Sequence, residues 1–432
     1  MRHQLGWADL SSARVGIFGV GVEGRAARDR LGSLTPDIVF VDDDPNASLP
    51  DADVIATNAG GIELLSSCDV VIKSPGISAY RDDVISLDRS GVAVVGGVGL
   101  TIHDLDRSRV ICVTGTKGKS TTASVLGHLL TGLGLRTEVT GNLGRPPFDP
   151  GIPDDLDILV IETSSFQALD IADAPGVVAV TSLAVDHLDW HGSIERYHAD
   201  KLSITTLPDA GMTLAQGQSS ALRERASLLG GDLRWVEGLA GTWAEPLGLI
   251  GSHNLANAEM ARSILLALDL PGADNEKRLR EAAEGFEALE GRLSDAGIIR
   301  GVRFFDDGLA TNVLPTLAAL DAFPRDRLAI LVGGFDRGVD YTELIDALSE
   351  RQPATLVIGL PESGRRLAEE IWARGTATEA TIAESIEEAT RTGFEWAGAG
   401  GVVLLSPAAP SFSQFKNWKE RSQAFRDAIA AL

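Results

Sequence analysis

An apolar run, Val110-Ile-Cys-Val-Thr114, breaks into Gly115-Thr-Lys-Gly-Lys-Ser-Thr-Thr122. The glycines permit a tight turn, and Lys119-Ser120 open a helical pattern. In such a turn backbone N–H groups converge on phosphate oxygens. A lysine ammonium there neutralises the β- and γ-phosphates, and a serine hydroxyl can ligate Mg2+. Gly115, Thr116, Lys117, Gly118, Lys119, Ser120 and Thr121 are therefore candidates for a nucleotide's phosphates. The loop is shorter than the standard P-loop, and a plain glycine turn is the bland alternative. Glu162 ends another apolar run and is followed by Thr163-Ser-Ser-Phe-Gln167. A carboxylate at that place can hold Mg2+, or it can be a solvated strand-end glutamate.

Two further groups carry chemistry less specifically. Gly19-Val-Gly-Val-Glu-Gly24 follows the first apolar run, and Asp42 closes the second. That spacing suits a dinucleotide with Asp42 on a ribose hydroxyl. A nucleotide diphosphate at the helix start or a packing turn fits equally well. His187 lies in Asp186-His-Leu-Asp-Trp-His191, ahead of Lys201. Clustered imidazoles and carboxylates suit a metal or phosphate site, and equally a helix cap with scattered histidines.

The elements that must position these groups alternate. β-branched runs over 14–18, 38–41, 70–73, 92–95, 110–113, 158–161, 177–181, 303–305, 328–332, 355–358 and 402–405 read as strands. Helical patterns over 119–133, 255–268 and 414–430 lie between some of them. Alternation predicts an α/β protein with mostly parallel sheets. Three blocks follow, 1–105, 106–290 and 291–432, the second opening on the strand that carries the phosphate loop.

With 432 residues, two to four domains are expected. A net charge of −23 argues against nucleic acid, which needs a basic surface. Any anionic ligand must then be held by local devices, and with only seven lysines in the chain those inside motifs stand out. No stretch is long and apolar enough to span a bilayer, and the first residues do not resemble a signal peptide. Two cysteines, Cys68 and Cys112, both in apolar runs, point to a reducing cytoplasm.

Taken in order, these motifs resemble those of Mur ligases. Thr114–Thr122, Gly141-Asn-Leu-Gly-Arg-Pro146, Glu162–Gln167, Asp186–His191 and Gly251-Ser-His-Asn254 begin the series. Arg292, Asp307 with Ala310-Thr-Asn312, Gly333–Asp340 and Leu405-Ser-Pro-Ala-Ala-Pro-Ser411 continue it to the end of the chain. Gly141–Pro146 and the segment from Ser406 to Asn417 look like the glutamate-adding branch. The resemblance implies a Rossmann-like UDP-binding domain, a central P-loop ATPase domain and a Rossmann-like C-terminal domain for the amino acid. It implies a ligase that joins glutamate to UDP-N-acetylmuramoyl-L-alanine with ATP in peptidoglycan precursor synthesis.

On that resemblance Val22, Glu23, Asp42, Ser74 and Asn142 face the UDP-sugar. Lys119, Ser120 and Glu162 hold ATP and a first Mg2+, while His187 and Lys201, the latter as an N-carbamate, hold a second. Asn254, Arg292 and Asp307 contact the nucleotide. Thr311 and Arg337 take the α-carboxylate of glutamate, and Ser411 with backbone near Trp418 takes the side-chain one. Lys119, Glu162, His187 and Lys201 are the expected catalytic groups. The D-glutamate enzymes usually carry Ser-Lys before Ala-Thr-Asn, where this chain has Gly308-Leu309, and a lysine where it has Arg337. Lys73-Ser-Pro-Gly-Ile-Ser78, Leu188-Asp-Trp-His-Gly192 and Asp336-Arg-Gly338 look instead like L-glutamate-adding relatives, whose product is epimerised by a separate enzyme. A cytoplasmic monomer with no nucleic-acid or membrane partner is expected. The alternatives are the same reaction on D-glutamate, a folylpolyglutamate synthetase, which lacks the UDP-binding block, and a catalytically silent nucleotide-binding protein.

Overall fold

Short apolar runs become central strands because only a fully covered strand can be apolar on both faces. The computed structural model describes residues 2–432 except Ser33, Pro36, Leu143 and Ser413. Leu143, within the expected Gly141–Pro146 motif, thus lies outside the described residues. β1 (Val15–Phe18) and β4 (Val70–Lys73) are buried throughout. With β2 (Ile38–Asp42), β3 (Val54–Ala56) and β5 (Ala93–Val95) they form a parallel sheet ordered β3-β2-β1-β4-β5. That order reverses between β1 and β4, which opens a crevice beyond their carboxyl ends, as in Rossmann-like sheets. Gly19 and Ser74, the residues that follow β1 and β4, meet there.

The second sheet, also parallel, is ordered β11-β10-β9-β6-β8-β7. It comprises β6 (Val110–Thr114), β7 (Thr137–Gly141), β8 (Ile158–Glu162), β9 (Val177–Val180), β10 (Met212–Gln216) and β11 (Asp232–Val236). Its register places Val113 beside Glu162 and Thr114 beside Val180. The phosphate loop, Glu162 and Thr181 therefore leave three adjacent strands at the same end.

The third sheet contains β12 (Ser294–Ile299), β13 (Val302–Asp306), β14 (Leu328–Gly334), β15 (Thr355–Glu362), β16 (Glu379–Ile382) and β17 (Val402–Leu405). Its order is β12-β13-β17-β14-β15-β16, and β12 alone runs antiparallel. Leu328, Ile330 and Val332 enter one core, and Ala329 and Leu331 the other, as a period of two requires of a sheet covered on both faces. The loops after β13, β14 and β17 again leave neighbouring strands at one end.

Edge strands β3, β7, β11, β12 and β16 escape a reading based on apolar runs. They are short or carry polar residues such as Glu138, Asp232, Arg234, Asp295 and Glu379, and β12 is bent by a bulge between Asp295 and Gly297. β10 escapes it too, since Thr213 and Gln216 interrupt its buried face. The last helix starts at Trp418 rather than 414, because Asn417 caps it by accepting from the Glu420 N–H at 3.1 Å.

Compactness divides the chain into two units, residues 1–246 with 256–284, and residues 247–255 with 285–432. The first two sheets share a unit because one hydrophobic core runs through both, joining Ile17 and Ile72 to Ile161 and Val178. The Trp7 ring packs 5.2 Å from that of Phe148, and its indole N–H donates to Thr101. Polar contacts also cross between the first two blocks. Lys73, at the end of β4, donates to Asp170 at 2.8 Å, and Arg2 donates to the carbonyls of Ala168 and Leu169. No helix among the described residues is long and apolar enough to cross a membrane.

Lys73 is almost fully buried, so removing its partner strands an ammonium inside the unit. Asp170→Ala should lower the unfolding free energy by about 3–5 kcal/mol, whereas joint replacement by Met and Leu should be near neutral. Urea denaturation of both variants checks this, and equal losses would contradict it.

Candidate active site

The phosphate loop is shaped by what lies behind it. A Cβ added to Gly115, whose φ is 138°, would sit 2.2 Å from Thr181 Oγ1 and 2.8 Å from the Ser182 nitrogen. The loop is pinned to the exit of β9. Thr116 N–H donates to the Ser182 carbonyl at 2.9 Å, Lys117 N–H to Ser182 Oγ at 2.8 Å, and Thr181 Oγ1 to the Lys117 carbonyl at 2.6 Å. The helix Lys119–Gly132 begins after Gly118 with no side-chain cap, so its first-turn N–H groups suit an anion. Lys119 Nζ donates to the Thr116 carbonyl at 3.2 Å, which folds the ammonium back over the loop. Ser120 and Thr121 are buried in the first turn, and Lys117 pairs with Asp186 at 3.4 Å.

Glu162 is 1% exposed. Its Oε1 accepts from Asn142 Nδ2 at 3.0 Å, while Oε2 is buried without a hydrogen-bond partner. An unsatisfied buried carboxylate oxygen is costly unless a cation completes it. Lys201, 2% exposed, donates to the Gly115 carbonyl at 3.1 Å and lies over the Tyr197 ring. Burial, reinforced by the charge of Lys119, holds its amine well below the ordinary lysine pKa. Such an amine is a nucleophile rather than a fixed cation, as capture of CO2 to a carbamate would need.

His187 is half-exposed in a left-handed conformation, with φ of 50°, against the Phe166 ring at 4.9 Å. Burial lowers its pKa, which favours the neutral imidazole that ligates metals. Among the described residues no three His, Cys, Asp or Glu side chains form a ready metal cluster. The hydroxyl of Ser120, the free oxygen of Glu162 and the neutral imidazole of His187 are donors that could hold a divalent cation.

The crevice of the first sheet is closely hydrogen-bonded. Asp42 accepts from the Val20 and Asp44 N–H groups at 2.7 and 2.9 Å, so its carboxylate shapes the glycine loop. Ser74 Oγ donates to the Gly19 carbonyl at 2.7 Å, and Val22 is exposed at the rim. Glu23 accepts from Gln167 Nε2 at 2.6 Å, and burial pushes its carboxyl up to about 7. Asn142, expected with this group, lies beside Glu162, to which its side chain donates.

The third sheet brings Thr311, Arg337 and Ser411 onto loops from the adjacent strands β13, β14 and β17. Thr311 and Arg337 are exposed, Ser411 is buried, and Trp418 packs so closely on Gly291 that a Cβ there would meet its ring at 2.8 Å. Asn254 donates to the Ile250 carbonyl at 2.9 Å. Asp307 accepts from Ser406 Oγ at 2.7 Å, and burial, opposed by Ser406 and the Arg292 charge, pushes its carboxyl up to about 7.

Two buried groups had no sequence signal. Arg421 donates to the carbonyls of Gly308 and Ala409, at 2.9 and 3.1 Å, so it ties two of these loops together. Its spacing from Phe425, Ala428 and Ile429 puts it on the buried face of its helix, but its charged type reads as a surface residue. His191 is the other, visible only as one more histidine in its motif.

Comparison with known proteins places this geometry. A family model described as the Mur ligase middle domain matches residues 113–227. The chain is 34% identical to the UDP-N-acetylmuramoyl-L-alanine--L-glutamate ligase of a Micromonospora species, over 98% of this chain and 97% of that one. It is 33% identical to the UDP-N-acetylmuramoylalanine--D-glutamate ligase of Gloeobacter violaceus, over 99% and 96%. Among solved structures it is similar in fold to the MurF ligase of Thermotoga maritima in complex with ADP. The TM-score is 0.58 at 14% identity, over 98% of this chain and 99% of that one.

The Asp307 carboxyl titrates near 7 when folded and near 3.8 when not. Its neutral form therefore favours folding below the lower value, and that contribution is lost as pH rises through the higher one. Asp307→Asn should gain stability relative to the parent between about pH 5 and about pH 8. Paired melting curves across that range test it, and parallel curves would contradict the assignment.

Proposed function

Since the chain belongs to the Mur ligase family, we propose that it joins L-glutamate to the L-alanine carboxylate of UDP-N-acetylmuramoyl-L-alanine with ATP, in peptidoglycan precursor synthesis. The observation that carries this reading is the meeting of the phosphate loop, the half-satisfied carboxylate of Glu162 and the buried amine of Lys201. A silent nucleotide-binding protein has no use for the last two. The departures at Leu309 and Arg337, with the name of the Micromonospora relative, support L-glutamate. The Gloeobacter relative keeps D-glutamate as the outcome the test must separate.

A carboxylate is a poor electrophile, so its oxygen first attacks the γ-phosphorus of ATP and ADP leaves. Lys119 and the helix N-terminus offset the charge on the phosphoryl group as it transfers. The glutamate amine then attacks the acyl carbon, loses a proton and expels phosphate to leave an amide. Ser120 and Glu162 would hold one Mg2+, and His187 with carbamylated Lys201 a second; bound there, the cations neutralise phosphate charge. Asn254, Arg292 and Asp307 are assigned to the nucleotide. Val22, Glu23, Asp42, Ser74 and Asn142 are assigned to the UDP-substrate, with Asp42 and Ser74 acting through the glycine loop they brace.

Thr311 and Arg337 are assigned to the α-carboxylate, and Ser411 with backbone near Trp418 to the side-chain carboxylate. Inverting the α-carbon with both carboxylates and the amine fixed displaces the carbon chain, so one charge-assisted bond is lost. In this reading the protein works in the cytoplasm as a monomer, and a separate epimerase acts on its product.

Two outcomes are expected. Lys119→Ala should nearly abolish ADP release while leaving UDP-substrate binding intact, as measured by calorimetry; normal ADP release would remove the phosphate-loop assignment. L-Glutamate should be used at least about tenfold faster than D-glutamate, the value of one charge-assisted hydrogen bond. Product formation with each enantiomer offered separately decides this.

A further inference from the structure

Outside the groups already assigned, His191 is a fully buried side chain with a hydrogen-bond partner on each ring nitrogen. Its Nδ1 lies 2.6 Å from Asp200 Oδ2, and its Nε2 lies 2.9 Å from Ser165 Oγ. Tyr80 OH donates to the other Asp200 oxygen at 2.7 Å. Asp200 is an acceptor on both oxygens, so Nδ1 carries the proton and Nε2 accepts from Ser165. Serine, histidine and aspartate are thus linked in the order of an acyl-transfer triad. Yet His191 has no exposed surface and Ser165 is 1% exposed, so no substrate reaches the hydroxyl.

What the three residues hold is visible from where they sit in the chain. Ser165 is three residues past Glu162, in the short helix Ser165–Ala168, whose start is fixed by a reciprocal Ser164–Gln167 capping box. His191 closes the helix Leu188–His191, one turn after His187. Asp200 directly precedes Lys201 within the helix Ile194–Leu202. Three separate segments, each carrying one residue assigned to a cation, therefore converge on one imidazole. The rings of Phe166, Trp190 and Tyr197 pack around it with centroids 4.4–5.5 Å away, so the imidazole cannot turn freely.

We propose that His191 is a positioning residue that sets Glu162, in one cation site, in register with His187 and Lys201, in the other, with Asp200 fixing its tautomer. Tyr80, which follows the Lys73–Ser78 segment of the first block, ties the network to the crevice where the UDP-substrate is placed. This inference rests on the cation assignments made above for Glu162, His187 and Lys201. Hydrogen bonds behind a metal's ligands typically govern affinity by about ten- to a hundredfold.

The test uses the full chain with Mn2+ and ADP. Free Mn2+ is read by electron paramagnetic resonance, and the Lys201 carbamate by 13C NMR after labelling with 13C-bicarbonate. His191→Leu keeps the bulk and removes both hydrogen bonds. It should weaken Mn2+ binding by about tenfold or more and diminish the carbamate signal. His191→Gln can still donate to Asp200 and accept from Ser165, so it should recover part of both. Ser165→Ala, which deletes one bond, should shift Mn2+ binding in the same direction by less, and it decides the matter if His191→Leu does not fold. Folded variants with Mn2+ affinity and carbamate signal equal to the parent would overturn the positioning role. A parent chain that shows neither Mn2+ binding nor a carbamate would instead sink the cation assignments, and this inference with them.

Discussion

A chain of net charge −23 that handles phosphates and carboxylates must concentrate positive charge at a few points, and this one does so at strand ends. Of its seven lysines, Lys73 ends β4, Lys117 lies in the loop after β6, Lys119 opens the helix that follows it, and Lys201 reaches the carbonyl of Gly115 in that loop. Burial makes these charges count, because a fixed cation in a low-dielectric site acts far more strongly than one in water. It also sets a conflict. Burial first, and then repulsion from Lys119, make the amine of Lys201 lose its proton readily. The parallel sheets are what bring the conflicting groups to one place, since their strands end together and their loops leave side by side.

Much of this was legible from residues alone, for a physical reason. Central strands such as 110–113 and 328–332 are apolar on both faces and stand out in any reading. The phosphate loop was legible because its glycines and lysine are adjacent in sequence. Asp42 shows the limit of such local reading. Its spacing suits a ribose, yet its oxygens accept from the N–H groups of Val20 and Asp44. Asn142 shows another, since the parallel pairing of β7 with β8 sets Gly141 beside Glu162 and so delivers Asn142 to that carboxylate.

What escaped the sequence is what depends on long-range convergence. Arg421 reads as a surface residue by its charge, although it shares a helix face with Phe425 and Ile429, until the carbonyls of Gly308 and Ala409 are seen to turn towards it. Burial lowers its pKa to about 10, a measure of how little water reaches it. The value of His191 likewise depends on partners 26 residues before it and 9 after. No periodicity or motif spacing encodes such meetings; only the packed fold does.

The short excursion 247–255, which belongs with the last unit while 256–284 returns to the first, bears on how such proteins can be recombined. The chain passes from one unit to the other three times. A last unit that followed a single boundary could be exchanged between relatives as a cassette, cut once and rejoined. Here a single cut near 284 would leave the donor unit's nine residues 247–255 behind and set the rest against the recipient's own nine. On the proposed assignment of Thr311, Arg337 and Ser411 to glutamate, exchange of amino-acid specificity is therefore easier by altering the loops after β13, β14 and β17 than by trading the whole unit. Divergence among relatives should then be concentrated in those loops, with the sheet beneath them inherited intact.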